Sequence, residues 1–273
     1  MTGPPDAGAN SRPVEPGDRG VVARETGVAT IVETVVLATP GAAVVSPDHL
    51  VYSTGPSLAL GVDGEDYFTK GRGDVDIAFS EIAGCLLAQA VGLSVPRVVV
   101  CRYGDEAFCG SRKAAEIGRN IEPFLKKRSV VENFEELYCA VVVDSWLVNV
   151  DRNMGNVIAS DGMIRGRTRL YFIDFEKSIA LKPNPIVSST MVRPPQLWPT
   201  ADLGRMLKAV RPLTPPASCL AAIRELGCGR IRQILQTVSA ALGGVEWWEY
   251  SADVLCRRAT RIDEIAGEVW AES

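Results

Sequence analysis

The feature that most constrains this chain is a change of hydrophobic period part-way along it. From Val28 to Val62 the apolar residues come in β-branched runs, "VATIVETVVLA" and "HLVYSTGPSLALGV", broken by Pro and Gly. Such runs bounded by turn residues read as strands. Asp63–Gly64 marks a hairpin turn, with Tyr67–Lys70 as the returning strand. The period then switches in "DIAFSEIAGCLLAQAVGL", where Ala78, Ile82, Leu86, Ala90 and Leu93 can share a helix face. Gly92 is placed to end that helix and Pro96 bars its continuation. "PRVVVCRYGDEAFCG" returns to strand, turn and strand, and from Glu116 onward the pattern is mostly helical. "NFEELYCAVVVDSWLVNV" predicts an apolar helix entered through Asn133 as N-cap, with Glu136 three residues on as in a capping box. "ADLGRMLKAV", "SCLAAIRELG", "GRIRQILQTVSAAL" and "SADVLCRRATRIDEIAGEVW" read as closing helices.

The expected fold is therefore α+β in two lobes. A small antiparallel β-lobe with one helix spans residues 26–112, and a larger, mainly helical lobe spans 113–273. Residues 1–25, rich in Pro, Gly and polar side chains, read as a disordered tail without the apolar segment of a secretory signal. The cleft between two such lobes is a natural ligand site.

Composition narrows the chemistry. One histidine in 273 residues, His49 in "SPDHLVY", leaves little room for His-based catalysis or a His-ligated metal. Seven cysteines without a C-x-x-C pair indicate neither a disulfide framework nor a zinc site. A net charge of −4 with mixed signs gives no basic footprint for nucleic acid. No apolar run reaches membrane-spanning length, so a soluble cytoplasmic protein is expected.

The chemistry-bearing stretch is "NVDRNMGNVIAS". Asp151 and Asn156 fit D-x-x-x-x-N, a weak signal alone. With 15 Asp and 7 Asn, about 0.4 matches are expected by chance, and Asp144 with Asn149 supplies a second. Asp144 lies inside the apolar helix, where Asn149 is expected to point elsewhere, so that pair reads as structural. Asp174 ends "LYFID", 18 residues after Asn156. A hairpin folded about Arg165 would return it beside Asn156. A carboxylate and an amide oxygen there suit Mg²⁺. Upstream, Lys70 ends a strand and Glu81 lies in the next helix, an arrangement that can hold an ammonium toward nucleotide phosphates. The small-residue turn "YSTGPS" could bring backbone N–H groups close to phosphate. The joint order is turn, strand Lys, helix Glu, helix, D-x-x-x-x-N and strand-end Asp, which is the layout of kinase-type phosphoryl-transfer sites.

"DSWLVNVDRNMGNVIAS…LYFIDFEKSIA", with "YFTKG…SEIAGCLLAQAVGLSVPRVVV" and "GVEWWEY…CRRATRIDEI", resembles the HipA-like kinases, distant relatives of phosphatidylinositol kinases and eukaryotic protein kinases. The resemblance runs from about Val28 to Trp270. It implies ATP and Mg²⁺ as cofactors and phosphoryl transfer to a hydroxyl, that of a protein Ser or Thr in the first place. Asp151 would orient or deprotonate the acceptor, Arg152 would be structural or contact phosphate, and Asn156 and Asp174 would bind Mg²⁺. Lys70, partnered by Glu81, would contact the phosphates, and Gly55, Pro56 and Ser57 would cover them. Phe108 and Gly110, in "DEAFCGS", would lie near the lobe hinge and the adenine. Many relatives carry His where this chain has Asn153, and no Gly follows Phe175 here. A small molecule or lipid head group as acceptor, and a catalytically silent nucleotide-binding module, are the alternatives.

Overall fold

The computed structural model describes residues 32–39, 41–43, 57–113, 128–160, 167–182, 212 and 214–271. The first half is a six-stranded sheet built from β1 (Thr34–Val36), β2 (Ala42–Ala43), β3 (Ser57–Leu60), β4 (Asp66–Lys70), β5 (Val98–Tyr103) and β6 (Glu106–Arg112), in the order β1-β5-β6-β4-β3-β2. Every pairing is antiparallel except β1 with β5, which run parallel because the whole β2–β4 segment and a helix intervene between them. The β3–β4 hairpin turns at Asp63–Gly64 as its sequence demands. Gly64 sits at φ 82°, a conformation glycine adopts at no steric cost, and Tyr67 donates to Asp63 across the turn at 2.7 Å.

Helix α1 (Val75–Ala90) crosses behind the sheet. Asp74 caps its N-terminus by accepting from the amides of Asp76 and Ile77, both at 3.1 Å. Gly92, at φ 94°, follows its last turn. The predicted single apolar face is too narrow a description. Ala78, Phe79, Ser80, Glu81, Ile82, Ala83, Gly84, Cys85, Leu87 and Ala88 are all buried, because the sheet covers one side of α1 and the helical half covers the other. Leu86 is only half-buried and Ala90 is exposed.

The second half holds α2 (Glu136–Leu147), the hairpin β7 (Val157–Ala159) and β8 (Leu170–Phe172), and α3 (Ala217–Ala241), α4 (Trp248–Thr260) and α5 (Ile262–Ala271). Helix α3 is broken at Gly227, whose φ of 68° and ψ of 156° are not helical. The segment "ADLGRMLKAV" lies outside the described residues, as does the N-terminal tail.

The predicted capping box at Asn133 does not form. The Asn133 amide instead clasps the backbone of Leu170, donating to its carbonyl at 3.0 Å and accepting from its N–H at 2.9 Å. The Glu136 carboxylate instead accepts from the backbone and hydroxyl of Ser94, at 2.6 and 3.1 Å. Both side chains thus hold the helix to neighbouring segments rather than capping it.

One core runs from α1 and β5–β6 through α2 to α3, α4 and α5, and a smaller one fills the other face of the sheet with Val35, Leu37, Ala59, Tyr67, Val99, Cys101 and Phe108. Gly84 marks the tightest join between the halves. A Cβ there would stand 2.4 Å from the Cβ of Phe175. Gly84→Ala should therefore lower the melting temperature, by about 1–3 kcal/mol of overpacking, although Ala is the better helix former. Gly267→Ala on α5, where a Cβ meets nothing within 4 Å, should be neutral or stabilising. Equal gains at both sites would show that the α1–Phe175 contact yields freely.

Candidate active site

The loop after α2 is organised from below by Asp144. This buried carboxylate receives Arg152 in a fork, with Nε to Oδ2 at 2.9 Å and Nη2 to Oδ1 at 3.1 Å. Its Oδ1 also accepts from Asn149 Nδ2 at 3.1 Å. The expectation that Asn149 points elsewhere fails because the helix stops at Leu147. Val148 adopts the left-handed region (φ 57°), an unusual state for a β-branched residue, and folds the chain back so that Asn149 meets the helix it has just left. The second D-x-x-x-x-N match is structural, as expected, but its two side chains do bond.

Arg152 spends its remaining donor, Nη1, on the carbonyls of Asn156 (2.9 Å) and Ile173, and its guanidinium lies 4.6 Å from the Phe175 ring centroid. Burial disfavours its charge, but the Asp144 carboxylate more than offsets this and its pKa is raised. One side chain thus joins α2, the loop and the strand end that carries Asp174. Arg258, buried on α4, secures the C-terminal end of α2 by donating to the carbonyls of Trp146 (2.8 Å) and Ser145 (2.5 Å). Burial lowers its pKa to about 10.

The predicted antiparallel pairing forms, but one residue out of the expected register, so that Ile173 rather than Asp174 lies opposite Asn156. Val157 pairs with Phe172 and Ala159 with Leu170. Ile173 N donates to Asn156 O at 3.1 Å, which brings Asp174 beside the loop. Asn156 Nδ2 donates to the Asp151 carbonyl at 2.6 Å, and among the described residues its Oδ1 accepts no hydrogen bond. Among the described residues the half-buried Asp151 carboxylate accepts none either.

Asp174 also sits at positive φ (68°). The acceptor that holds this turn is Glu81 of α1, whose two carboxylate oxygens receive the backbone amides of Asp174 (3.2 Å) and Phe175 (2.7 Å). Lys70 reaches across to Asp174 Oδ1 at 2.9 Å and lies 3.5 Å from Glu176 Oε2. The three carboxylates Glu81, Asp174 and Glu176 offer oxygens within 4.8 Å of one another. Burial alone would depress the Lys70 pKa, but the charges of Glu81, Asp174 and Glu176 outweigh it and raise the pKa above its ordinary value. Glu81 is pushed up by burial, with Lys70 pulling it part of the way back.

Lys70, Glu81, Asp151, Arg152, Asn156 and Asp174 thus converge, with two corrections among the sequence expectations. Lys70 makes no ion pair with Glu81. Its close partners are Asp174 and Glu176, because Glu81 is committed to backbone amides. Phe108 is fully buried on the face of the sheet opposite Lys70, so its ring is directed away from the cleft. Gly110 lies mid-strand, where a Cβ would stand 2.2 Å from Cys101 Sγ, and its smallness serves strand packing. Ser57 begins β3 opposite Thr69, whose hydroxyl donates to its carbonyl at 3.2 Å. Gly55 and Pro56 lie outside the described residues. Sequence reasoning missed Glu176, Gly84 and Arg258, and gave Asp144 no partner. Only Asp144, a lone charge in an apolar helix, carried a visible signal.

No protein-family profile matches the sequence, and no curated protein matches it either. Among solved structures the chain is similar in fold to the Helicobacter pylori proinflammatory kinase CtkA, with a TM-score of 0.52 at 14% identity. The alignment covers 84% of this chain and 96% of that one. The fold defined here is kinase-like and two-lobed.

Replacing Lys70 by Met leaves buried carboxylates without their ammonium and should cost about 3–5 kcal/mol. The loss depends on pH through Glu81. With Lys70 gone, its folded pKa rises further above the unfolded value. A carboxyl shifted that way supports the fold below its unfolded pKa and loses that support as pH rises through the folded one. The melting-temperature deficit of Lys70→Met should therefore widen from pH 5 to pH 8. A deficit constant with pH would show that Lys70 does not govern this cluster.

Proposed function

We propose that this protein is an ATP- and Mg²⁺-dependent kinase of the HipA-like type, transferring the γ-phosphoryl group to the hydroxyl of a protein Ser or Thr. The observation that carries this reading is the convergence of Lys70 from β4, Glu81 from α1, the Asp151–Asn156 loop and Asp174 on one cleft of a kinase-like fold. The H. pylori neighbour, itself described as a kinase, supports it. Residues 26–112 would cover the nucleotide and residues 113–273 would carry the catalytic loop. Among the described residues no helix is long and apolar enough to cross a membrane.

The donor set fits Mg²⁺. Asp174 offers a carboxylate and Asn156 an amide oxygen that has no partner among the described residues, both hard oxygens. When bound, the ion would neutralise charge on the phosphate oxygens. The remaining work falls to side chains of this chain. The Asp151 carboxylate, which accepts no hydrogen bond among the described residues, would accept the proton of the attacking hydroxyl as the new P–O bond forms and the bond to the ADP oxygen breaks. Lys70, drawn off Asp174, would hold phosphate oxygens in line. Arg152 is a positioning residue, since each of its three nitrogens donates to a protein acceptor. Glu81 fixes the backbone from which Asp174 projects.

Incubation with γ-labelled ATP and Mg²⁺, alone and with Ser/Thr-containing proteins, tests the reading. Label should appear on Ser or Thr. Asp151→Ala should slow transfer by about 10²–10⁴-fold and leave ATP affinity unchanged. Label found only on a small hydroxyl compound would move the acceptor class. Bound ATP that is never consumed, with Asp151→Ala indistinguishable from wild type, would make the chain a silent nucleotide-binding module.

A further inference from the structure

Glu176 occupies the position after Phe175, and the reading above gives it no task. Its side chain is 1% exposed, yet among the described residues neither carboxylate oxygen has a hydrogen-bond partner. A buried charge left in that condition is costly unless a cation compensates it. The charges facing it are Lys70 of β4 at 3.5 Å from Oε2, the half-buried Lys177 at 3.7 Å from Oε1, and the carboxylates of Asp174 and of Glu81 on α1. Glu81 has both oxygens engaged with backbone amides and is the least free of the three carboxylates to take a cation. Asp174 and Glu176 remain, and the Lys70 ammonium stands within 2.9 and 3.5 Å of the two.

We infer that Glu176 is a divalent-cation ligand that acts with Asp174, at the place where the Lys70 ammonium stands in the structure. Cation entry releases Lys70 toward the phosphates, so that metal and lysine exchange places on one carboxylate pair. This deepens the phosphotransfer reading and rests on it for the identity of the ion. The two-carboxylate set extends the Asn156–Asp174 pair with a residue that a Gly in the same position could not supply.

The test is Mn²⁺ titration of the full, nucleotide-free chain, with free Mn²⁺ read by electron paramagnetic resonance and folding checked by melting in EDTA. Glu176→Gln should weaken Mn²⁺ binding about tenfold or more. Glu176→Asp, which keeps the charge on a shorter stem, should fall between the two and carries the test if the Gln variant does not fold. Wild-type Mn²⁺ affinity in whichever variant folds would overturn the inference, as would a wild-type chain that binds no Mn²⁺ at millimolar concentration. A Glu176 that merely pairs with Lys70 would change the melting temperature in EDTA and leave Mn²⁺ affinity unaltered. ATP binding measured in EDTA reports on the nucleotide site without the cation, so failure of this inference is distinguishable from failure of the kinase reading.

Discussion

The buried fork between Asp144 and Arg152 is the contact on which the rest of the cleft depends. It is formed by two residues that would each be costly to bury alone, and the pair is satisfied only because Asn149, Asn156 and Ile173 supply the remaining partners. Removing either charge would strand the other in the core. The position of the Asp151–Asn156 loop relative to Asp174 is therefore fixed by a structural guanidinium. The left-handed turn at Val148, the hairpin register and the Arg258 clamp on the end of α2 all feed into the same arrangement.

Above this base the two halves meet through polar contacts set in an apolar frame. Glu81 reaches from α1 to the backbone of Asp174 and Phe175, while Gly84, one turn further on, lets the Phe175 side chain press against the helix. Lys70 completes the junction from the sheet. Movement of α1 relative to the helical half would thus alter the turn at Asp174 and the lysine's partners together. This is a direct physical route from lobe closure to the charge balance of the site.

How much of this the sequence carried depends on how local each feature was. The β3–β4 turn at Asp63–Gly64 and the stop at Gly92 follow from turn chemistry and period and were legible, and the antiparallel return of Asp174 to the Asn156 loop was legible to within one residue of register. Asn133 shows the limit. Its spacing to Glu136 suits a capping box, yet a strand 37 residues away competes for the same amide and wins. Phe108 was misplaced because alternation along a strand gives two faces without saying which one looks into the cleft. Asp144 and Asn149 were judged by ideal helical geometry, which a single left-handed valine cancels. Glu176 carried no local signal that set it apart, and only its burial does.

The most direct test of the account is a crystal structure of the chain with Mn²⁺ and a non-hydrolysable ATP analogue, with the ion located by anomalous scattering. The account predicts the ion against Asp174, within reach of Asn156, with the Lys70 ammonium moved from Asp174 onto phosphate oxygens. A nucleotide bound outside this cleft, or one bound in it with the 2.9 Å Lys70–Asp174 contact intact and no ion at Asp174, would contradict it.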